Sequence, residues 1–504
     1  MNIKKIGIVG SGTMGRGIAQ LFSSIGKDIY ISDISLDLVE KAISSIKANF
    51  QKLFDKGKIS EEQVKDFISH LHVTKEIEEL SGCDLIIEAI PENINLKKDF
   101  FQNIEKIVDS NCILATNTSS LSVTEIASVC QKPERVAGLH FFNPVPLMKI
   151  VEIVKGMRTD EQVCEKLTDL IKDTGHTPIV TIDVPGFVVN HAGRAYVTES
   201  LTILEETIAK PHEIDLILKE SFGFKMGPFE LIDLTGVDVT HPVTESIYNQ
   251  FYQDQKYRPS YLLRLRMFAK LLGRKTGEGF YSYNDNQLVN KNIGKNQDMI
   301  MPKLEVPIWV SQANKNGYEK VVSLIKKSSI TLENMPLPSE KALCIVTPLG
   351  YDATTTILKE NLDPTRTIAV DTLLDINKHI TLMGSPVLDN NYKTFAFSFF
   401  KQVAGNATFI SDSPGFVAQR VLAMIVNIGC TIAQKGIATP KDIDIAVKLG
   451  LGYPMGPLEM GDYIGTEKIL SILENLYDTY KDPRYRPSLW LKRRAELGVS
   501  LFYI

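Results

Sequence analysis

One stretch of this 504-residue chain occurs twice. Pro185-Gly186-Phe187-Val188, Met226-Gly227-Pro228, Asp233 and Tyr257-Arg258-Pro259-Ser260 return, in order, as Pro414-Gly415-Phe416-Val417, Met455-Gly456-Pro457, Asp462 and Tyr485-Arg486-Pro487-Ser488. Most of the matches keep an offset of 229 residues, as from Gly186 to Gly415. Self-similarity at a fixed spacing marks a duplicated structural module. If only one copy retains chemistry, the differences between the copies point to the active site.

The chain is too long for one core and fits roughly three to four domain-sized units. Hydrophobic residues make up 44% and charged residues 23%, with a net charge of −4. That balance and the lack of a basic run argue against a nucleic-acid or anionic-membrane partner. No apolar stretch approaches the ~20 residues that span a bilayer. The six cysteines are scattered without CxxC or metal-ligand spacing, the pattern of buried thiols in a reducing compartment, and no metal site is expected. Ile6-Gly7-Ile8-Val9 reads as a core strand so close to Met1 that no signal or transit peptide is expected, which makes the cytoplasm the default.

Residues 1–184 alternate short apolar runs with helical periods, as in a parallel α/β sheet. Strands are expected at 3–9, 28–33, 84–90, 112–116, 135–140, 149–154 and 178–182, with helices near 14–25, 36–56, 92–108 and 160–173. Gly175 should close the last helix, and Ser122-Val-Thr-Glu125 should open a short one. Residues 185–283 read as helical and 284–303 as a polar linker. Residues 304–413 return to strand-like runs at Ala342–Val346, Thr367–Val370 and Phe395–Phe399, and 414–504 are the second helical copy.

Gly10-Ser-Gly12-Thr13-Met14-Gly15 lies between an expected strand and an expected helix. Gly10 permits a tight turn, Gly12 lets a pyrophosphate approach the backbone, and Gly15 lets the helix pack on the strand. The helix N-terminus supplies N–H donors. Asp33, ending the next strand, would accept from the ribose hydroxyls and repel a 2′-phosphate, favouring NAD over NADP.

His140-Phe-Phe-Asn143-Pro144 ends a strand, and Glu152 lies in the next one. An imidazole with an ordinary pKa near ~6.5 can take a proton from a hydroxyl and return it. A carboxylate on its other nitrogen would fix the tautomer. Asn117-Thr-Ser119-Ser120 follows the strand at 112–116, where ligands collect, although a plain turn with a helix cap has the same residues. Asn190 lies early in the first repeat copy, and the second copy has Gln419 there. Lys52, Lys56 and Lys58 read either as a solvated helix end or as a landing site for a phosphorylated substrate tail.

Together, Gly10-Ser-Gly-Thr-Met-Gly15, Asn117-Thr-Ser-Ser120, His140-Phe-Phe-Asn-Pro-Val-Pro-Leu-Met-Lys149, Glu152 and Pro185-Gly-Phe-Val-Val-Asn190 resemble the 3-hydroxyacyl-CoA dehydrogenase family, across residues 1–283. The whole chain resembles the long bacterial 3-hydroxybutyryl-CoA dehydrogenases. The resemblance implies a Rossmann-type NAD-binding domain (1–184) and an all-α domain (185–283). After the linker come a reduced Rossmann-like segment without the glycine fingerprint (304–413) and a second all-α domain (414–504). It implies that His140 is the general base, Glu152 its partner, and Ser119 and Asn190 the groups that hold the substrate's 3-oxygen and the nicotinamide region. It places NAD against Gly10, Gly12, Thr13, Met14, Gly15, Asp33, Glu92, Lys97, Asn117, Ser119, Asn143 and Lys275, and the coenzyme A phosphates near Lys56. Two departures stand out. The family usually has Asn-Arg where this chain has Asn190-His191, with Arg194 following, whereas the second copy keeps Arg420 beside Gln419.

The expected reaction is interconversion of 3-hydroxyacyl-CoA and 3-oxoacyl-CoA in fatty acid metabolism, with 3-hydroxybutyryl-CoA as first substrate. The alternatives are 3-hydroxyadipyl-CoA of aromatic catabolism and an NAD-binding protein without turnover. Because shorter relatives dimerise through the module repeated here, the second copy is expected to pack on the first. The chain is then a monomer with an internal pseudo-dimer, or a homodimer.

Overall fold

Apolar runs buried on both faces make parallel strands, and the 3.6-period segments between them make the covering helices. The computed structural model describes residues 3–285, 287–289 and 306–504. Its first half runs β1 (Lys5–Val9), α1 (Thr13–Ser23), β2 (Asp28–Ser32), α2 (Leu36–Asp55), α3 (Glu61–Ser69), β3 (Leu71–Val73), β4 (Leu85–Glu88), α4 (Ile94–Ile107), β5 (Ile113–Thr116), α5 (Val123–Ala127), β6 (Val136–Phe141), β7 (Ile150–Lys155), α6 (Glu161–Asp173) and β8 (Thr177–Ile182). The helical module follows as α7 (Val189–Ala192), α8 (Arg194–Glu205), α9 (Pro211–Phe222), α10 (Pro228–Thr235), α11 (Val237–Gln250) and α12 (Tyr261–Phe268), closed by the hairpin β9 (Tyr283–Asn284) and β10 (Gln287–Leu288). The second half runs β11 (Ile308–Val310), α13 (Lys315–Ile325), β12 (Leu332–Glu333), β13 (Leu343–Val346), α14 (Ala353–Glu360), β14 (Thr367–Val370), β15 (Ile380–Gly384), α15 (Asn390–Ala404) and β16 (Ala407–Ile410). It ends with α16 (Ala418–Gln434), α17 (Pro440–Leu451), α18 (Pro457–Ile464), α19 (Thr466–Tyr480) and α20 (Leu489–Leu497).

The chain forms two compact units. One comprises the residues up to His191 together with Gly436–Leu451, and the other Ala192–Lys435 with Gly452–Ile504. In the first, eight strands stand in the order β3-β2-β1-β4-β5-β6-β7-β8. All neighbours are parallel except β6 and β7. The strand order reverses between β1 and β4, the point at which such sheets bind ligands. Gly175 takes a left-handed φ of 71° just beyond α6, and Ser122 Oγ caps α5 by accepting from Glu125 N. The sequence reading had no α3 and no β3. Helix α3 carries its signal in a Ser60/Gln63 capping box, whereas three residues of β3 are too few to show a period.

In the second unit a six-stranded sheet runs β12-β11-β13-β14-β15-β16, with only β14 and β15 antiparallel. Phe395–Phe399, expected as a strand, is the middle of helix α15. Short apolar runs do not distinguish the two, and Asp389 as N-cap with fifteen residues of helix decides it. The equivalent helices α8 and α16 of the two copies pack against one another. The linker expected at 284–303 lies outside the described residues except for 284–285 and 287–289. All six cysteines are buried and unbridged. Among the described residues no helix is long and apolar enough to cross a membrane.

Candidate active site

The glycine loop behaves as its spacing implies. Gly10 has φ of 102°, and a Cβ there would lie 2.4 Å from Ala89 O. A Cβ on Gly15 would lie 1.8 Å from Gly10 O, so α1 can sit this close only without a side chain. At Gly12 a Cβ would meet nothing within 4 Å. The open face at Gly12, the N-terminus of α1 and the reversal of strand order suit a pyrophosphate. Asp33 accepts from Ser11 N and Ser11 Oγ, both at 2.6 Å, and from Ile34 N at 2.7 Å. Burial pushes its carboxyl up, but these hydrogen bonds win and hold it below the usual range, so it stays an anion where a ribose would lie.

His140 and Glu152 are cross-strand partners in the antiparallel β6–β7 ladder. That register brings their side chains together from twelve residues apart, and His140 Nδ1 lies 2.7 Å from Glu152 Oε2. Glu152 is fully buried and His140 is 5% exposed. The other carboxylate oxygen accepts from Val188 N and Val189 N, each at 2.9 Å, at the start of α7. A carboxylate held this way accepts only, so Nδ1 carries its proton and Nε2 is the ring's acceptor. Phe142 and Phe187 pack on the imidazole, with ring centroids 4.3 and 5.8 Å away.

The β5 loop is tied to both neighbours. Asn117 Oδ1 accepts from Phe141 N at 2.8 Å, and Asn190 Nδ2 donates to Ser119 O at 3.3 Å. Glu92 Oε1 accepts from Thr118 Oγ1 (2.7 Å), Ser119 N (2.9 Å) and Ser120 N (3.1 Å). Burial pushes the Glu92 carboxyl up, but the Lys97 ammonium and these donors together hold it below the usual range. Lys97 is itself only 1% exposed, and its Nζ lies 2.6 Å from Glu88 Oε1 and 3.3 Å from Glu92 Oε2. The structure therefore places Lys97 behind Glu92, as the counter-charge that braces it. The sequence reading missed Glu88, a fully buried carboxylate that also accepts from Ile90 N and Thr116 Oγ1. A charged residue ending an otherwise apolar strand was its available signal.

The remaining sites are less enclosed. Thr13 and Met14 form the first turn of α1. Asn143 is exposed and precedes a cis proline bond to Pro144. Lys56 is exposed at the C-terminus of α2. Lys275 belongs to the other compact unit, where its Nζ lies 2.7 Å from Asp238. Among the described residues there is no group of three or more His, Cys, Asp or Glu side chains that could hold a metal.

The second half supplies a contrast. The first strand position of its sheet is β11, followed by Ser311-Gln-Ala-Asn314, without glycine until Gly317 inside α13. Gln419, in the place of Asn190, donates to Pro348 O and to Asp371 Oδ1 at 2.9 Å. Asp371 directly follows β14, the strand before the antiparallel step, and takes the place of the histidine.

A model of the 3-hydroxyacyl-CoA dehydrogenase NAD-binding domain matches residues 5–184, and the C-terminal-domain model of the same family matches 186–283 and 415–500. The chain is 33% identical over 500 residues to a 3-hydroxyadipyl-CoA dehydrogenase of Escherichia coli K12, covering 99% of this chain and 98% of that one. It is 40% identical over 280 residues to a 3-hydroxybutyryl-CoA dehydrogenase of Clostridioides difficile, covering 56% of this chain and 99% of the relative. A crystal structure of an Escherichia coli 3-hydroxybutyryl-CoA dehydrogenase superposes with a TM-score of 0.84 at 33% identity, covering 99% of each chain.

Proposed function

This chain belongs to the 3-hydroxyacyl-CoA dehydrogenase family, and from that premise we propose that it interconverts (S)-3-hydroxybutyryl-CoA and acetoacetyl-CoA. It is an NAD-dependent oxidoreductase of that family. The observation that carries the proposed chemistry is the buried His140–Glu152 pair at 2.7 Å. In the oxidation His140 Nε2 takes the proton of the 3-hydroxyl, and Glu152 stabilises the imidazolium that results. When bound, NAD would supply the acceptor for the hydride that leaves C3. Gly10, Gly12, Thr13, Met14, Gly15 and Asp33 would hold its adenosine and pyrophosphate portion. Ser119 and Asn190 would hold the 3-oxygen and the nicotinamide region, and Asn117, whose Oδ1 accepts from Phe141 N, would contact NAD. Glu92, with Lys97 behind it, keeps the Ser119–Ser120 turn in place. Glu92, Lys97, Asn143 and Lys275 as cofactor contacts, and Lys56 for the coenzyme A phosphates, rest on the family resemblance alone.

The reading includes one active site, built from residues 1–283, in a cytoplasmic enzyme with no nucleic-acid or membrane partner. The segments at 304–413 and 414–504 support it, and the two helical copies act as a built-in pair, in a monomer or a homodimer. A second substrate has one observation in its favour, the end-to-end similarity to a protein named 3-hydroxyadipyl-CoA dehydrogenase. Following NADH absorbance with acetoacetyl-CoA, longer 3-oxoacyl-CoAs and 3-oxoadipyl-CoA decides between them. Faster turnover of the dicarboxylic thioester overturns the butyryl reading, and NADH binding without turnover of any thioester overturns both. The same panel with NADPH tests Asp33, since a preference for NADPH means that its charge does not exclude the 2′-phosphate.

A further inference from the structure

The unit that carries His140 also contains Gly436–Leu451, which belong to the second copy of the repeat. Ile437 O accepts from Thr181 Oγ1 at 3.1 Å and from Ile182 N at 3.3 Å, which fastens the entry to α17 to strand β8. Strand β8 is the neighbour of β7, with Ile179 in register with Glu152. At the far end of α17, a Cβ built on Gly450 would lie 2.8 Å from Val189 Cγ1 and 3.0 Å from Val189 Cγ2. Val189 cannot give way cheaply, because it is β-branched and 1% exposed. Its N–H is one of the two that hold Glu152 Oε1, and the next residue is Asn190.

The glycine is not required by the repeat itself. The equivalent position of the first copy, 229 residues earlier, is Ser221. Nor is it needed to end the helix, because Gly452, at φ of 67°, provides the left-handed residue beyond α17. A glycine inside a helix costs ~0.5–1 kcal/mol relative to alanine, so a packing reason is needed. The contact with Val189 supplies one.

We propose that helix α17 of the second copy, through Gly450, is a positioning element for the His140–Glu152 pair. It sets how closely Val188–Asn190 sits against Glu152, so the copy without its own histidine contributes to the active site of the other. The proposal rests on the dehydrogenase reading of that site. The test uses the full chain with Gly450→Ala, Val189→Ala and the double variant. Steady-state kinetics with acetoacetyl-CoA and NADH is combined with NMR titration of His140 in 13Cε1-histidine-labelled protein. Gly450→Ala should lower kcat by about ten- to a hundredfold, the cost of a sub-ångström to ångström misplacement, shift the His140 titration, and leave the NADH dissociation constant within about twofold. Val189→Ala makes room for the new methyl, so the double variant should recover most of the lost kcat. Should Gly450→Ala not fold, Val189→Ala alone, which opens a gap at the same contact, should still shift the His140 titration. Near-normal kcat with an unmoved His140 resonance in Gly450→Ala overturns the proposal, as does a double variant no better than the single one. A wild-type enzyme inactive on every thioester sinks the dehydrogenase reading instead, while the ligand-free NMR titration still reports whether Gly450 and His140 are coupled.

Discussion

Arg420 of the second helical copy donates to Glu199 of the first at 2.8 Å, and both side chains are fully buried. The same guanidinium donates to Glu206, Tyr480 and Tyr485. Burial pushes the Glu199 carboxyl up, but Arg420 and Arg484 together hold it below its ordinary value of 4.5. A carboxyl depressed in the folded state contributes stability that is present above its unfolded pKa and lost as pH falls through the folded one. Glu199→Gln leaves Arg420 paired with Glu206 but takes away the carboxylate 3.7 Å from the buried Arg484, so it should cost ~3–5 kcal/mol at neutral pH, the usual cost of breaking a buried ion pair. Thermal melts should show the gap from wild type closing as pH falls below 4.5. An unchanged melting temperature at pH 7 would show that the pair does not hold the two copies together.

His140→Gln removes the ring that exchanges the proton but leaves the Gly10–Gly15 loop intact. Turnover should fall by about two to four orders of magnitude, the range for general acid–base catalysis, with NADH affinity little changed. Stopped-flow turnover and NADH fluorescence titration check both halves. Near-normal turnover would rule out His140 as the base.

The glycines of the first loop should separate by what surrounds them. A methyl at Gly12 meets no protein atom within 4 Å, so Gly12→Ala should melt like wild type. It should still lose NADH affinity by about five- to a hundredfold, because the methyl overpacks the pyrophosphate at ~1–3 kcal/mol. A methyl at Gly15 collides with Gly10 O at 1.8 Å, so Gly15→Ala should lose stability as well. Calorimetry and NADH titration of the two variants distinguish these effects, and equal melting losses would refute the assignment of roles.

Lys256 is the counterpart of Arg484, and the two make mirrored contacts across the two copies. Arg484 Nη1 donates to Thr202 Oγ1 at 2.7 Å, and Lys256 Nζ to Thr431 Oγ1 at 3.5 Å. Arg484 also has Glu199 nearby, 3.7 Å away, whereas the residue 229 positions beyond Glu199 is Ile428. Burial pushes the Lys256 ammonium down to about 8, with Asp254 opposing it. Below that pH the folded protein carries the full cost of the buried charge, about 3 kcal/mol for such a shift. The cost is relieved as pH rises from about 8 towards 10.5. Lys256→Met should thus raise the melting temperature at pH 7 and lose that advantage near pH 10. A variant less stable than wild type at pH 7 would contradict this.

Much of the first half was legible because its signals are local. A tight turn, an approaching phosphate and a close helix each need glycine at one position, so Gly10, Gly12 and Gly15 could be assigned in order. His140 and Glu152 could be paired because two short strands twelve residues apart have few registers available. Glu88 and the bracing role of Lys97 were not legible. Their meaning lies in a buried contact between β4 and α4, which no period in the sequence reports. Phe395–Phe399 was misread for a related reason: a run buried on every side has no polar face to reveal its period.

By itself the sequence determined the duplication, the nucleotide loop, the candidate base and the family, because each depends on residue identities at short fixed spacings. It also showed that one copy keeps His140 and Asn190 while the other has no matching histidine-phenylalanine-phenylalanine motif and replaces the asparagine with Gln419. Only the tertiary structure decided where the second copy's parts go. Arg420 is buried against Glu199, 221 residues away in sequence, and α17 packs in the unit that carries His140. Both follow from side chains meeting across sequence separations that no local pattern encodes. Whether a buried charge finds its counter-charge, or a glycine its neighbour, is settled by packing.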